Sequence, residues 1–214
     1  MKAIVFDLDG TLIDSAGDIQ GAANAMLGGL GLPTISRAET VALVGRGADS
    51  FVRGALEKAG AAAELYPRAR AEFGAAYLAQ GASNATLFPG ALDALAALKA
   101  AGARLGLCTN KPQDVTHEVL AGMGLAPFFE AVVGAYAGHP LKPDPAPLRA
   151  CFAALGAGTG LFVGDSETDA ATAAAMGAPF GLYTEGYRHG AIEAMGAAFV
   201  FDDFAKLPAL ALAG

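Results

Sequence analysis

Six short runs along the chain are apolar at nearly every position: Lys2–Phe6, Ala103–Cys108, Ala131–Ala135, Gly160–Gly164, Pro179–Tyr183 and Ala197–Phe201. Continuous rather than alternating apolarity predicts strands buried on both faces, hence a largely parallel sheet. From Ala103 onward, helical patterns fall between these runs. Lys111–Gly122 carries Pro112 near its first turn, Asp144–Leu155 opens on an aspartate followed by Pro145, and Gly156 and Gly177 stand where helix C-caps belong. Strands and helices in alternation predict a doubly wound, Rossmann-like α/β core.

One interval breaks that alternation. About ninety residues separate the first two strands, where a simple crossover needs about a dozen. Ser15 to Leu30, Asp49–Lys58 and Ala62–Ala79 hold apolar residues at helical spacing, and Ser36 to Glu39 reads as a capping box. The pattern predicts a small helical cap, residues 15–83, inserted after the first strand of a core built from residues 1–14 and 84–214. Hinges are expected at Asp14–Gly17 and Ala82–Gly90, where the chain crosses between the two.

Open α/β sheets bind ligands beyond the carboxyl ends of their strands. Asp7 and Asp9 follow the first strand, Thr109, Asn110 and Lys111 the second, and Asp165 and Asp169 the fourth; Lys142 lies in the loop after the third. Singly, each has an ordinary reading as a turn residue, helix cap or solvated lysine. Jointly, at least three carboxylates would converge in one crevice and repel one another unless a divalent cation resolved the conflict. Donors limited to oxygen select a hard ion, Mg²⁺ above all. The scattered His117, His139 and His189 lack zinc-site spacing. Lys142 as a point charge and the Thr109 hydroxyl as a donor complete an inventory suited to phosphoryl transfer to a carboxylate.

Composition narrows the partners. With 214 residues and 54% apolar content the chain can bury a substantial core, while a net charge of −7 and no Lys/Arg cluster argue against nucleic acid. A small phosphorylated metabolite remains suitable, because one pocket needs only a few donors. The apolar run that Asp7 interrupts is too short for a secretory signal, and no uncharged apolar stretch approaches the roughly 20 residues of a membrane span. Cys108 and Cys151, far apart and without a CxxC pattern, fit a reducing compartment, so a cytoplasmic, membrane-free protein is expected.

Taken in order, DLDGTLIDS at residues 7–15, Thr109 in CTNK, Lys142 in LKPDP and GDSETD with Asp165 and Asp169 resemble the four motifs of the haloacid dehalogenase-like (HAD) hydrolases, and among these the phosphoglycolate phosphatases. That resemblance implies an Mg²⁺-dependent phosphatase working through an aspartyl-phosphate. Asp7 would be the nucleophile and a metal ligand. Asp9 would protonate the leaving alkoxide, later deprotonate water, and offer its main-chain carbonyl to the metal. Asp165 would be the main further metal carboxylate, with Asp169 behind it or reaching the ion through water. Thr109, Asn110 and Lys142 would hold the phosphoryl group, and Gly10 would let the backbone approach it.

Position 9 discriminates within the family. Dehalogenases carry an aromatic residue there and phosphonoacetaldehyde hydrolases a small one, so Asp9 disfavours both. Likeness to phosphoglycolate phosphatases is greatest in VGRGADSFVRGAL and TEGYRHG; Arg46, between two glycines, is expected to reach a substrate carboxylate. A phosphomutase of the β-phosphoglucomutase kind stays open, because Arg37, Arg46, Arg53, Arg68 and Arg70 of the cap offer material for a second phosphate site. Another sugar phosphate or pyrophosphate is open as substrate. A non-catalytic binding module has little use for Asp7, Asp9, Thr109, Lys142 and Asp165 together.

Overall fold

The first strand, β1 (Ala3–Phe6), is wholly buried, and its alternate residues feed two cores: Ile4 and Phe6 on one face, Ala3 and Val5 on the other. That two-sided burial is what its unbroken apolar sequence demands. The structure is a computed structural model that describes residues 2–80 and 84–213. After β1 come a two-residue β2 (Ile13–Asp14) and four helices, α1 (Ala16–Gly29), α2 (Arg37–Val41), α3 (Ala48–Lys58) and α4 (Tyr66–Gln80). The chain returns through β3 (Thr86–Leu87), α5 (Ala91–Ala100), β4 (Arg104–Pro112), α6 (Gln113–Gly122), β5 (Ala131–Ala135) and α7 (Ala146–Ala154). It ends with β6 (Leu161–Gly164), α8 (Glu167–Met176), β7 (Phe180–Tyr183), β8 (Phe199–Phe201) and α9 (Leu207–Leu212).

The protein has a doubly wound α/β fold whose six strands, all parallel, run in the order β5-β4-β1-β6-β7-β8. Successive strands step outward from β1 on one side, then resume at β6 on the other. The switch point therefore lies between β1 and β6. Leu95, Leu98, Leu107, Val163 and Phe204 pack one sheet face; Leu148, Cys151, Phe152 and Phe162 pack the other. A third apolar cluster draws only on residues 19 to 73, with Met26, Leu27, Phe51, Val52 and Phe73 among its members. The helices after β2 thus bury their stripes against one another.

Local differences from the sequence pattern have physical causes. β4 runs on to Pro112 through a register shift after Cys108, so Thr109, Asn110 and Lys111 belong to its irregular end. α6 starts at Gln113 because the ring of Pro112 disfavours helical backbone at Lys111. The expected helix over Ala62–Ala79 is split into a 3₁₀ turn at Ala63–Leu65 and α4, with Pro67 in the first turn of the latter. β2 and β3 pair antiparallel over two residues each, too short for any periodicity to reveal. Gly156 and Gly177 end their helices in left-handed conformation, with φ of 66° and 69°. The expected end of the cap at residue 83, and the first two residues of the expected hinge at Ala82–Gly90, lie outside the described residues. Among the described residues no helix is long and apolar enough to cross a membrane.

Candidate active site

Register brings the strand ends together. Phe6 pairs with Leu107 on one side and Val163 on the other, and the Asp7 amide donates to the Val163 carbonyl at 2.9 Å. Asp7 and Asp165 consequently stand at adjacent strand ends, and Asp169, in the first turn of α8, joins them. One oxygen from each of these three buried carboxylates lies within 4.8 Å of the others. Asp165 accepts from Thr11 Oγ1 at 2.6 Å and from the Tyr187 amide at 2.7 Å. Gly10, at φ 89°, is required here: a Cβ would collide with the Asp165 carboxylate and stand 2.8 Å from the Tyr187 ring. Ser166, rather than Asp165, caps α8, in a capping box with Asp169.

Lys142 enters this cluster from the loop before α7. Its Nζ donates to Asp169 Oδ1 at 2.6 Å and lies 2.8 Å from Asp7 Oδ1. The latter contact has ion-pair distance but lies off the hydrogen-bonding direction, so Asp7 Oδ1 is buried without a donor. Burial, and then the charge of Asp169, raise the Asp7 pKa to about 7 against the opposing pull of Lys142. Asp165 is likewise raised, by burial first and then by Asp169 and Asp7. Burial alone would lower Lys142, but Asp169 and Asp7 outweigh it and hold the ammonium charged. Three carboxylates facing one lysine leave negative charge uncompensated. An orphaned carboxylate oxygen in an all-oxygen cluster fits a hard divalent cation.

Asp9 points elsewhere. Its Oδ1 accepts from Ser15 Oγ at 2.6 Å and from Lys111 Nζ at 2.8 Å, and Lys111 also donates to Tyr77 Oη at 2.5 Å. Tyr77 belongs to α4, so this chain of contacts joins that helix to the sheet. Ser15 occupies the N-cap of α1 yet makes no capping bond, because its hydroxyl serves Asp9. Lys111, Tyr77, Ser15 and Thr11 carry no assigned role in the sequence reading. The signal for Lys111 was its place at the carboxyl end of the second strand, beside Thr109 and Asn110.

Between the helices that follow β2 and the sheet lies a cavity of about 220 Å³. Asp7, Asp9, Thr109, Asn110 and Lys111 form its floor, and Val44, Phe51, Phe73 and Tyr77 much of its roof. The Asn110 side chain is committed to scaffolding: Oδ1 accepts from the Lys142 amide at 2.9 Å, while Nδ2 donates to the carbonyls of Lys142 at 2.9 Å and Gly45 at 3.0 Å. A phosphoryl contact from Asn110 is therefore left to its main chain. Arg46 departs from expectation. Gly45 and Gly47 line the cavity, but Arg46 is exposed and outside its wall, because the loop lays its backbone against the site. Nor do the other cap arginines assemble a second phosphate site. Arg37 pairs with Asp14, Arg68 with Glu72 and Arg70 with Asp49, while Arg53 stacks 3.6 Å over Tyr66. Of the five, Arg70 alone lines the cavity.

This fold and crevice define a hydrolase of known type: the sequence matches the haloacid dehalogenase-like hydrolase family over residues 1–177, and the chain belongs to that family. Within it, the phosphoglycolate phosphatase of Cereibacter sphaeroides strain ATCC 17029 is 42% identical over 212 residues, covering 98% of this chain and 97% of that one. The Rhodospirillum rubrum phosphoglycolate phosphatase is 43% identical, covering 96% and 89%. A crystal structure of a predicted phosphoglycolate phosphatase from Haemophilus somnus 129pt superposes with a TM-score of 0.91 at 30% identity, covering 98% and 97%.

Proposed function

We propose that this enzyme is an Mg²⁺-dependent phosphatase that hydrolyses 2-phosphoglycolate to glycolate and phosphate through an aspartyl-phosphate on Asp7. The observation that carries the reading is the placement of Asp7, Asp165, Asp169 and Lys142 in one buried cluster, with Asp9 alongside on the wall of a cap-covered cavity. The full-length likeness to phosphoglycolate phosphatases supports the substrate. So does the size of the cavity, which falls below the ~300–1,000 Å³ of sites for drug-sized ligands and suits a small ester.

In this mechanism an Asp7 oxygen attacks phosphorus while the bond to the ester oxygen breaks, and Asp9 gives that oxygen a proton. Asp9 then takes a proton from the water that attacks the acyl phosphate, which frees Asp7 and releases phosphate. Lys142 and the Thr109 hydroxyl hold the phosphoryl oxygens, and Asn110 fixes the main chain that carries Lys142. Asp7, Asp165 and the Asp9 main-chain carbonyl, with Asp169 behind them, would hold Mg²⁺, which when bound would supply positive charge against the incoming dianion. Thr11 and Tyr187 keep Asp165 in position. The test is phosphate release from a panel of small phosphate esters and pyrophosphate. Highest kcat/KM on 2-phosphoglycolate with Mg²⁺, abolished by EDTA, is expected; absence of release from every ester would overturn the reading.

A further inference from the structure

We infer that Lys111, aided by the Tyr77 hydroxyl, binds the carboxylate of the substrate and so sets the preference for a phosphorylated hydroxy acid; this rests on the function proposed above. Lys111 is a buried cation on the cavity wall, only 6% exposed. Lys142 is engaged by Asp7 and Asp169, Arg70 by Asp49, and Arg46 lies outside the wall. Much of the remaining roof is apolar, with Val44, Phe51 and Phe73. Lys111 is itself paired with Asp9. Of the two cations that line the cavity among the described residues, Lys111 and Arg70, it alone stands against the residue assigned to the ester oxygen, and so it is placed for an anionic group on the leaving-group side.

Its neighbours fix which end of the substrate it meets. Lys111 Nζ lies 2.8 Å and 3.2 Å from the two oxygens of Asp9, the residue that must reach the ester oxygen. In 2-phosphoglycolate a single methylene separates that oxygen from the carboxylate, so a substrate served by Asp9 presents its carboxylate beside Lys111. An ammonium has three donors on a rotatable stem, and giving up the longer contact to Asp9 Oδ2 frees one for a carboxylate oxygen while Asp9 Oδ1 and Tyr77 are kept. Tyr77, which accepts from Lys111 at 2.5 Å, has its own O–H free to turn toward the second oxygen. Because Tyr77 lies on α4, the carboxylate would be gripped from both sides of the cavity. A short acid is held by both groups; an uncharged ester of the same length is not.

Lys111→Met tests the assignment by kinetics on 2-phosphoglycolate and on ethyl phosphate, a two-carbon ester without the carboxylate. We expect the ratio of the two kcat/KM values to fall at least about 30-fold, chiefly through a higher KM for 2-phosphoglycolate, with Lys111→Arg retaining most of the preference. Equal losses on both esters, or an unchanged ratio, would overturn the inference and leave Lys111 as a support for Asp9. Should the methionine variant not fold, Lys111→Gln takes its place, and a preference kept by Gln as fully as by Arg overturns the inference too. Wild-type enzyme that hydrolyses other esters but not 2-phosphoglycolate would instead defeat the functional reading itself.

Discussion

Asp7 sits under opposing influences: burial and Asp169 favour its protonated form, Lys142 its carboxylate. Its pKa of about 7, against an ordinary 3.8, means that the folded state holds a proton the unfolded chain has already lost. Stability from this group is full below about pH 4 and disappears as pH rises through about 7. Metal-free protein should accordingly show a falling Tm across that window, and Asp7→Asn should flatten the fall. Mg²⁺ requires deprotonated ligands, so it should raise Tm more at pH 7.5 than at pH 5.5; thermal melts with and without EDTA check both. Lys142→Ala and Asp165→Ala should each lower kcat by about a thousandfold with the circular dichroism spectrum retained. Asp7, Asp9, Lys142 and Asp165 were legible because charge at the end of a buried strand has few structural excuses. Lys111 was legible as a strand-end residue but its role was not, since its partners Asp9 and Tyr77 are distant in sequence. For Arg46, glycines on either side reveal a tight loop but not which way its side chain faces, and the structure leaves it exposed beside the cavity wall.

At the scale of elements, two serines in N-cap positions behave differently. Ser36 accepts from the Glu39 amide in a complete capping box, whereas Ser15 gives its hydroxyl to Asp9. Ser36→Ala should therefore cost about 1 kcal/mol in denaturant unfolding and leave kcat unchanged. α1 is held to α4 and to the returning chain by Asp18, whose Oδ1 accepts from Gln80 Nε2 at 2.9 Å, Asn84 Nδ2 at 3.0 Å and the Asn84 amide at 2.9 Å. Removing that buried acceptor by Asp18→Ala should cost about 2 kcal/mol, read from the same unfolding curves. The strands of the sheet were legible as continuous apolar runs, and the helices between β2 and β3 as stripes of period 3.6. The β2–β3 pair was hidden because two residues carry no period. The irregular end of β4 was hidden because pairing with β5, and not propensity, extends it past Cys108.

At the scale of the molecule, the sheet fixes the carboxylates and the helices after β2 roof them over. Asn110 reaching the Gly45 carbonyl and Lys111 reaching Tyr77 join the two layers on either side of the cavity. Doubly wound topology and the convergence of carboxylates in one crevice were legible from alternation; that Asp7 and Asp165 stand on neighbouring strands needed the strand order, which places β6 beside β1. Asp7 as nucleophile is the claim on which the rest depends. Its most direct test is the rate of phosphate release from 2-phosphoglycolate in saturating Mg²⁺ by folded Asp7→Asn beside wild type. The account predicts a loss of at least about a thousandfold in kcat; a variant within tenfold of wild type would contradict it.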